Sequence, residues 1–207
     1  MKNYTCKLEE DKFYHIYNRG NNKDKLFYSN ANYEYFLRKY DEYLSDFVET
    51  YAFCLLPNHF HFLVRIKNVS KLTESMISLK AISSIKEEVI LSTEERFRRL
   101  FITYSQAINK QQNRHGSLFE KPFRRIEISN TKYLANLVFY IHANPTLHGI
   151  DKDFRMYAWS SYHRILISKP SKLQKAEVIE WFSDKENYVA FHSQKIEIEK
   201  IKQLLLE

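Results

Sequence analysis

Two histidines separated by a single residue, His59 and His61, are the first residues in this 207-residue chain whose type and spacing suggest chemistry. They open the run 59–66 (HFHFLVRI), which reads as a strand of aromatic and β-branched residues. Side chains two apart on a strand point to the same side, so His59, His61, Leu63 and Arg65 share one face and Phe60, Phe62, Val64 and Ile66 the other. The second set is a core stripe. The first holds two imidazoles roughly 6–7 Å apart at the backbone, close enough to bind one metal ion. Eight histidines in 207 residues give about 0.27 such pairs by chance, so the pair alone is also what a solvated polar face would show.

A second group lies 79 residues beyond His61, at Tyr140. Leu134, Leu137, Val138 and Ile141 follow the i, i+3, i+4, i+7 pattern of a buried helical stripe. At 100° per residue Tyr140 falls roughly 110° from the centre of that stripe, on its flank, and Asn144 follows one turn later about 40° around. His142 points roughly 160° away from Tyr140, which argues against it as a co-ligand. A phenol attacks phosphorus poorly at its free pKa, so it needs metal assistance and an aligned phosphate. The Asn144 amide oxygen suits a neutral third ligand to Mg²⁺ or Mn²⁺, with DNA oxygens and water completing the shell. Read without the histidines, the same helix offers only an amphipathic boundary tyrosine and a cap before Pro145.

The elements that must position these groups follow from periodicity. A strand is expected over residues 13–18, ended by the turn-prone Arg19-Gly20-Asn21-Asn22, then a helix over 32–44. Residues 51–56 and 59–66 form a hairpin about Pro57-Asn58, helices follow over 70–90 and 94–114, and a short strand over 123–128. Asn130 or Thr131 is expected to cap the tyrosine helix and Pro145 to end it. Beyond Trp159 the pattern is mostly helical, including 178–182 and a charged amphipathic stretch over 195–206. This order predicts an α+β fold: a ferredoxin-like or RRM-like antiparallel sheet with helices packed on it, plus a helical C-terminal extension.

Composition bounds the partners. The formal charge is +7 with 15 Tyr and 15 Phe, a balance that favours a polyanion with stackable bases. Basic clusters lie at Arg19, Lys23 and Lys25, at Lys121, Arg124 and Arg125 with Phe119 and Phe123 interleaved, and at Arg96, Arg98 and Arg99; Arg65 shares the histidine face. Of these, Arg19, Lys23, Arg65, Lys121, Arg124 and Arg125 are the candidate DNA contacts. Two distant cysteines, Cys6 and Cys54, make neither a disulfide framework nor a CxxC metal site. Residues 1–12 lack the apolar core of a signal peptide and no apolar run is long enough to span a membrane, so a cytoplasmic location is the expectation.

The run 55–64 (LLPNHFHFLV) resembles the HUH strand of the small single-tyrosine transposases, and is most similar to their REP-associated branch. Residues 13–20 (FYHIYNRG), 116–119 (GSLF), 140–145 (YIHANP) and 159–162 (WSSY) recur in that family's order, and the resemblance covers about residues 12–165. It implies an HUH endonuclease domain over 1–167, with a helical insertion around 73–95 and an extension of unassigned role over 168–207. It implies a Mg²⁺- or Mn²⁺-dependent nick in single-stranded DNA beside hairpin or repeat ends, leaving a 5′-phosphotyrosine and a free 3′-hydroxyl. By position His59 and His61 take the metal roles and Tyr140 the nucleophile role. Better-known relatives carry glutamine where Asn144 stands, one methylene longer. A catalytically inactive nucleic-acid-binding module and a hydrolase using the histidines with a carboxylate are the competing readings, and monomer and homodimer are equal alternatives.

Overall fold

Alternating side chains in three neighbouring strands divide the interior into two layers. The computed structural model describes residues 5–68, 93–130 and 133–194. In chain order these form β1 (Phe13–Arg19), α1 (Asn30–Leu44), β2 (Val48–Leu56), β3 (His59–Ile66), α2 (Thr93–Gln111), β4 (Arg124–Glu127), α3 (Leu134–Leu147), α4 (Tyr162–Leu166), α5 (Lys175–Trp181) and α6 (Lys185–His192). The strands make one antiparallel sheet in the order β2-β3-β1-β4. The fold is therefore α+β with an antiparallel sheet, as the patterning predicts. The helices expected over 70–90 and 195–206, and the cap at Thr131, lie outside the described residues.

One sheet face carries Tyr14, Ile16, Phe53, Leu55, Phe60, Phe62 and Val64, packed against Phe36 and Tyr40 of α1 and Phe97, Leu100 and Tyr104 of α2. The packing is aromatic on aromatic: Tyr40 stacks on Phe62 with ring centres 4.4 Å apart. The opposite face carries Ala52, Cys54, Leu56 and Leu63 beneath Leu137, Val138 and Ile141 of α3. The histidine face is thus roofed by a helix and is no solvated surface.

That roof differs from expectation in two ways. Pro145 does not end α3, which runs on to Leu147. Proline withholds an N–H and disfavours helix in the residue before it. Here the surrounding turn is hydrogen-bonded by other donors: Asn144 Nδ2 donates to the Tyr140 carbonyl at 2.8 Å, and the Ile150 N–H reaches the Pro145 carbonyl at 2.8 Å. Every residue from Leu137 to Pro145 is also buried, so α3 has no exposed flank over that stretch and Tyr140 belongs to the core. The single apolar stripe underestimated this because the residues after Trp159 cover the far side. Val178, Phe182 and Tyr188 join the same core layer, and Trp181 stacks on Tyr51 of β2 at 5.0 Å.

Candidate active site

The hairpin turn that presents His59 is clamped from the side. Gly20 donates its N–H to the Asn58 carbonyl at 2.8 Å, while the Leu26 and Phe27 N–H groups both reach the Pro57 carbonyl, at 2.7 and 3.0 Å. A Cβ on Gly20 would lie 2.1 Å from the Asp24 carbonyl oxygen, so only glycine permits this approach. Pairing then sets the depth of each imidazole: His59 lies opposite Arg19 and His61 opposite Tyr17 on β1. The two rings sit 5.2 Å apart and nearly perpendicular.

Each histidine has an outer partner on Nδ1. The Asn58 carboxamide Oδ1 lies 2.7 Å from His59 Nδ1, and His15 Nε2 lies 3.0 Å from His61 Nδ1. His61 and His15 are both 2 % exposed. Burial drives the imidazole pKa values down, to about 3 for His15 and well below the usual range for His61. Burial also lowers that of His59 to about 3, assisted by the nearby His148 and Arg19 and opposed by the Asn144 side chain. All three are neutral at pH 7, the form with a lone pair to offer.

Among the described residues, two buried atoms of this region, His61 Nε2 and Asn144 Oδ1, have no hydrogen-bond partner, although the Asn144 side chain lies close enough to His59 to oppose the fall in its pKa. Buried polar groups are nearly always partnered, so two orphans that each neighbour His59 are a signature of a ligand site. Tyr140 meets the same spot, with its ring edge-on to His61 at 5.6 Å and to His15 at 6.1 Å. Among the described residues no three His, Cys, Asp or Glu side chains are grouped to hold a metal ion. The two imidazoles and the Asn144 amide oxygen are neutral donors of the kind a divalent cation accepts.

In front of the histidines opens a cavity of about 810 Å³. Arg19, Lys23, Lys25 and Arg124 supply positive charge around it, and Glu120 pairs with Arg19 at 2.5 Å and with Arg124 at 3.8 Å. The other basic candidates lie elsewhere. Arg125 alternates to the opposite side of β4 from Arg124, and with Lys121 it lines a separate groove along α2. Arg65 shares the histidine face but sits at the far end of β3, paired with Glu49 at 2.6 Å and Glu177 at 3.5 Å. His142 faces away from the histidine pair and bonds Ser161 and His192.

Sequence reasoning passed over four residues that the fold brings to this place. His15 and Tyr17 arrive from β1, Asn58 from the turn, and His148 from the end of α3, its ring 4.6 Å from that of His59. His15 was within reach: it is two residues from Tyr17 on a strand that had to pair with the His-x-His strand in any ferredoxin-like sheet. His148 follows Asn144 by one further helical turn, a signal hidden by the assumption that Pro145 ended the helix.

No protein-family profile matches the chain. A curated protein of Haemophilus influenzae, named for the REP-associated tyrosine transposases, is 27% identical over 116 residues, a match covering 56% of this chain and 60% of that protein. The matched part is thus less than two thirds of the curated relative. A solved structure of a REP-associated tyrosine transposase bound to a REP hairpin shares the fold, with a TM-score of 0.57, 18% identity, and 80% of this chain covered against 86% of that one. In sequence and in fold, the chain resembles the REP-associated tyrosine transposases.

Proposed function

We propose that this protein nicks and rejoins single-stranded DNA at hairpin-associated sites, using Tyr140 as nucleophile and a divalent ion, Mg²⁺ or Mn²⁺, held by His59, His61 and Asn144. The observation that carries this reading is the pair of buried, unpartnered acceptors, His61 Nε2 and Asn144 Oδ1, beside the Tyr140 ring. An ion bound there supplies Lewis-acid polarisation of the scissile phosphate. The rest falls to the chain's own side chains. Arg19, Lys23 and Arg124 hold the DNA backbone over the cavity, and Tyr17 offers a ring on which a base can stack. The Tyr140 oxygen forms a bond to phosphorus as the bond to the 3′-oxygen breaks. The phenol gives up its proton to base and the 3′-oxygen takes one up, leaving a 5′-phosphotyrosine and a 3′-hydroxyl.

Tyr140 is 4 % exposed and is not among the residues lining the cavity, so its phenol must be uncovered when DNA binds. Tyr17 does line the cavity, and its ring stacks 5.7 Å from His61. That observation favours a second reading, in which Tyr17 is the nucleophile. Incubation with end-labelled hairpin-bearing single-stranded DNA and Mn²⁺, followed by denaturing gels, separates the two. A denaturant-resistant adduct lost in Tyr140→Phe and kept in Tyr17→Phe supports Tyr140, and the reverse pattern transfers the role to Tyr17. Tight binding with no adduct, in Mn²⁺ and in a parallel incubation with Mg²⁺, leaves a binding-only protein.

A further inference from the structure

We infer that His15 is a positioning residue that sets the tautomer of His61: by accepting a hydrogen bond from His61 Nδ1–H, it leaves the His61 Nε2 lone pair free to bind the metal. This rests on the metal reading above and assigns a role that reading does not require.

Two buried imidazoles, His15 and His61, meet at 3.0 Å between Nε2 of the first and Nδ1 of the second. Only one proton can occupy that line. If His15 Nε2 carries it, His61 Nδ1 is the acceptor and His61 must bear its own proton on Nε2, where it can hold no cation. If His61 Nδ1 carries it, Nε2 is a bare lone pair, and this is the atom that lacks a protein partner. A metal-ligating histidine needs the second arrangement, which an acceptor on the other ring nitrogen enforces.

The surroundings favour a fixed ring. His15 stacks on Tyr17 at 4.8 Å and on His61 at 5.2 Å, the planes 18° apart in the second case, so neither imidazole can rotate without breaking contacts. Strand pairing supplies the reach. His15 lies opposite Leu63, the next residue on the histidine face after His61, which puts His15 and His61 in the diagonal relation of an antiparallel pair. The parallel with His59 is direct. There the local carboxamide of Asn58 does the same work, whereas His61, deeper in the strand, needs a partner from across the sheet.

Mn²⁺ titration by calorimetry tests this without reference to nicking. His15→Phe keeps the ring and removes the acceptor, so it should weaken Mn²⁺ binding about tenfold to a hundredfold. His15→Gln, whose Oε1 reaches the same position, should recover most of that loss. Unchanged affinity in His15→Phe, with His59→Ala strongly weakened, overturns the role of His15 while leaving the metal site standing. If His59→Ala also binds Mn²⁺ normally, the metal reading falls and this inference with it. Ring ¹⁵N spectra of the unsubstituted protein with Mg²⁺, assigned against His61→Gln, give an answer that needs no folded His15 variant. They should show His61 protonated on Nδ1; a proton on Nε2 refutes the proposal.

Discussion

Two clusters of buried histidines flank α3 and differ in what their ring nitrogens find. On one side His142 Nδ1 meets His192 Nε2 at 3.0 Å, His142 Nε2 meets Ser161 Oγ at 2.7 Å, and His192 Nδ1 meets the Tyr188 carbonyl at 2.8 Å. All four nitrogens are engaged, and the chain they form ties α3 to α4 and α6. On the other side His61 Nε2 and Asn144 Oδ1 are left over. The contents are alike, and burial lowers the pKa of His142 as it does that of His61. A satisfied polar cluster holds elements together, while an unsatisfied one in the same protein reserves its atoms for something else.

The largest effect is expected at the tyrosine beside the unsatisfied cluster. Tyr140→Phe should lower adduct formation by on the order of 10³-fold in single-turnover assays. Replacing each cluster's central ring comes next. His142→Phe strands His192 Nε2 and removes one of the hydrogen bonds of Ser161, whose hydroxyl keeps Phe53, and should cost roughly 2–4 kcal/mol in urea denaturation without changing Mn²⁺ affinity. His61→Phe strands only His15, should cost about 1–2 kcal/mol, and should abolish tight Mn²⁺ binding. If the two variants lose stability and metal binding alike, the distinction between the clusters fails.

Acid sharpens the satisfied side. Burial holds the His192 pKa at about 4, below its ordinary 6.5, so between those pH values the unfolded chain takes up a proton that the folded chain refuses. Stability is therefore lost as pH falls through that window, by about 2 kcal/mol between pH 6.5 and 5 for this group. Urea midpoints at pH 7 and 5 should show the loss, and its slope should be shallower in His192→Phe. The smallest effect is at the cavity rim. Arg124→Ala should weaken DNA binding and reduce its salt dependence by about one counterion, whereas Arg65→Ala, occupied by Glu49 and Glu177, should leave that slope unchanged.

Most of the sheet was legible because two-residue periodicity is a local property. The face shared by His59, His61, Leu63 and Arg65 follows from the strand pleat alone, and β3 has the predicted bounds. The tyrosine helix was legible in its existence and misread in its surroundings. Its apolar stripe says which side must be buried and nothing about whether the other sides are covered too. Residues more than thirty positions downstream close over Tyr140's helix, which runs on through Pro145 and brings His148 to His59.

What this sequence determined by itself is the presence of two imidazoles on one strand face, a tyrosine and an amide one helical turn apart, and a basic, aromatic chain to present them. Those are matters of residue type and of spacing within an element, which backbone geometry fixes over a few residues. The tertiary structure alone decided that α3 roofs the histidine face, that His15 crosses from β1 to His61, and that two acceptors there are buried without partners while their counterparts behind the helix are satisfied. Such outcomes depend on which atoms meet from separate elements, 46 residues apart in the case of His15 and His61, and no periodicity in one segment records what another will place against it.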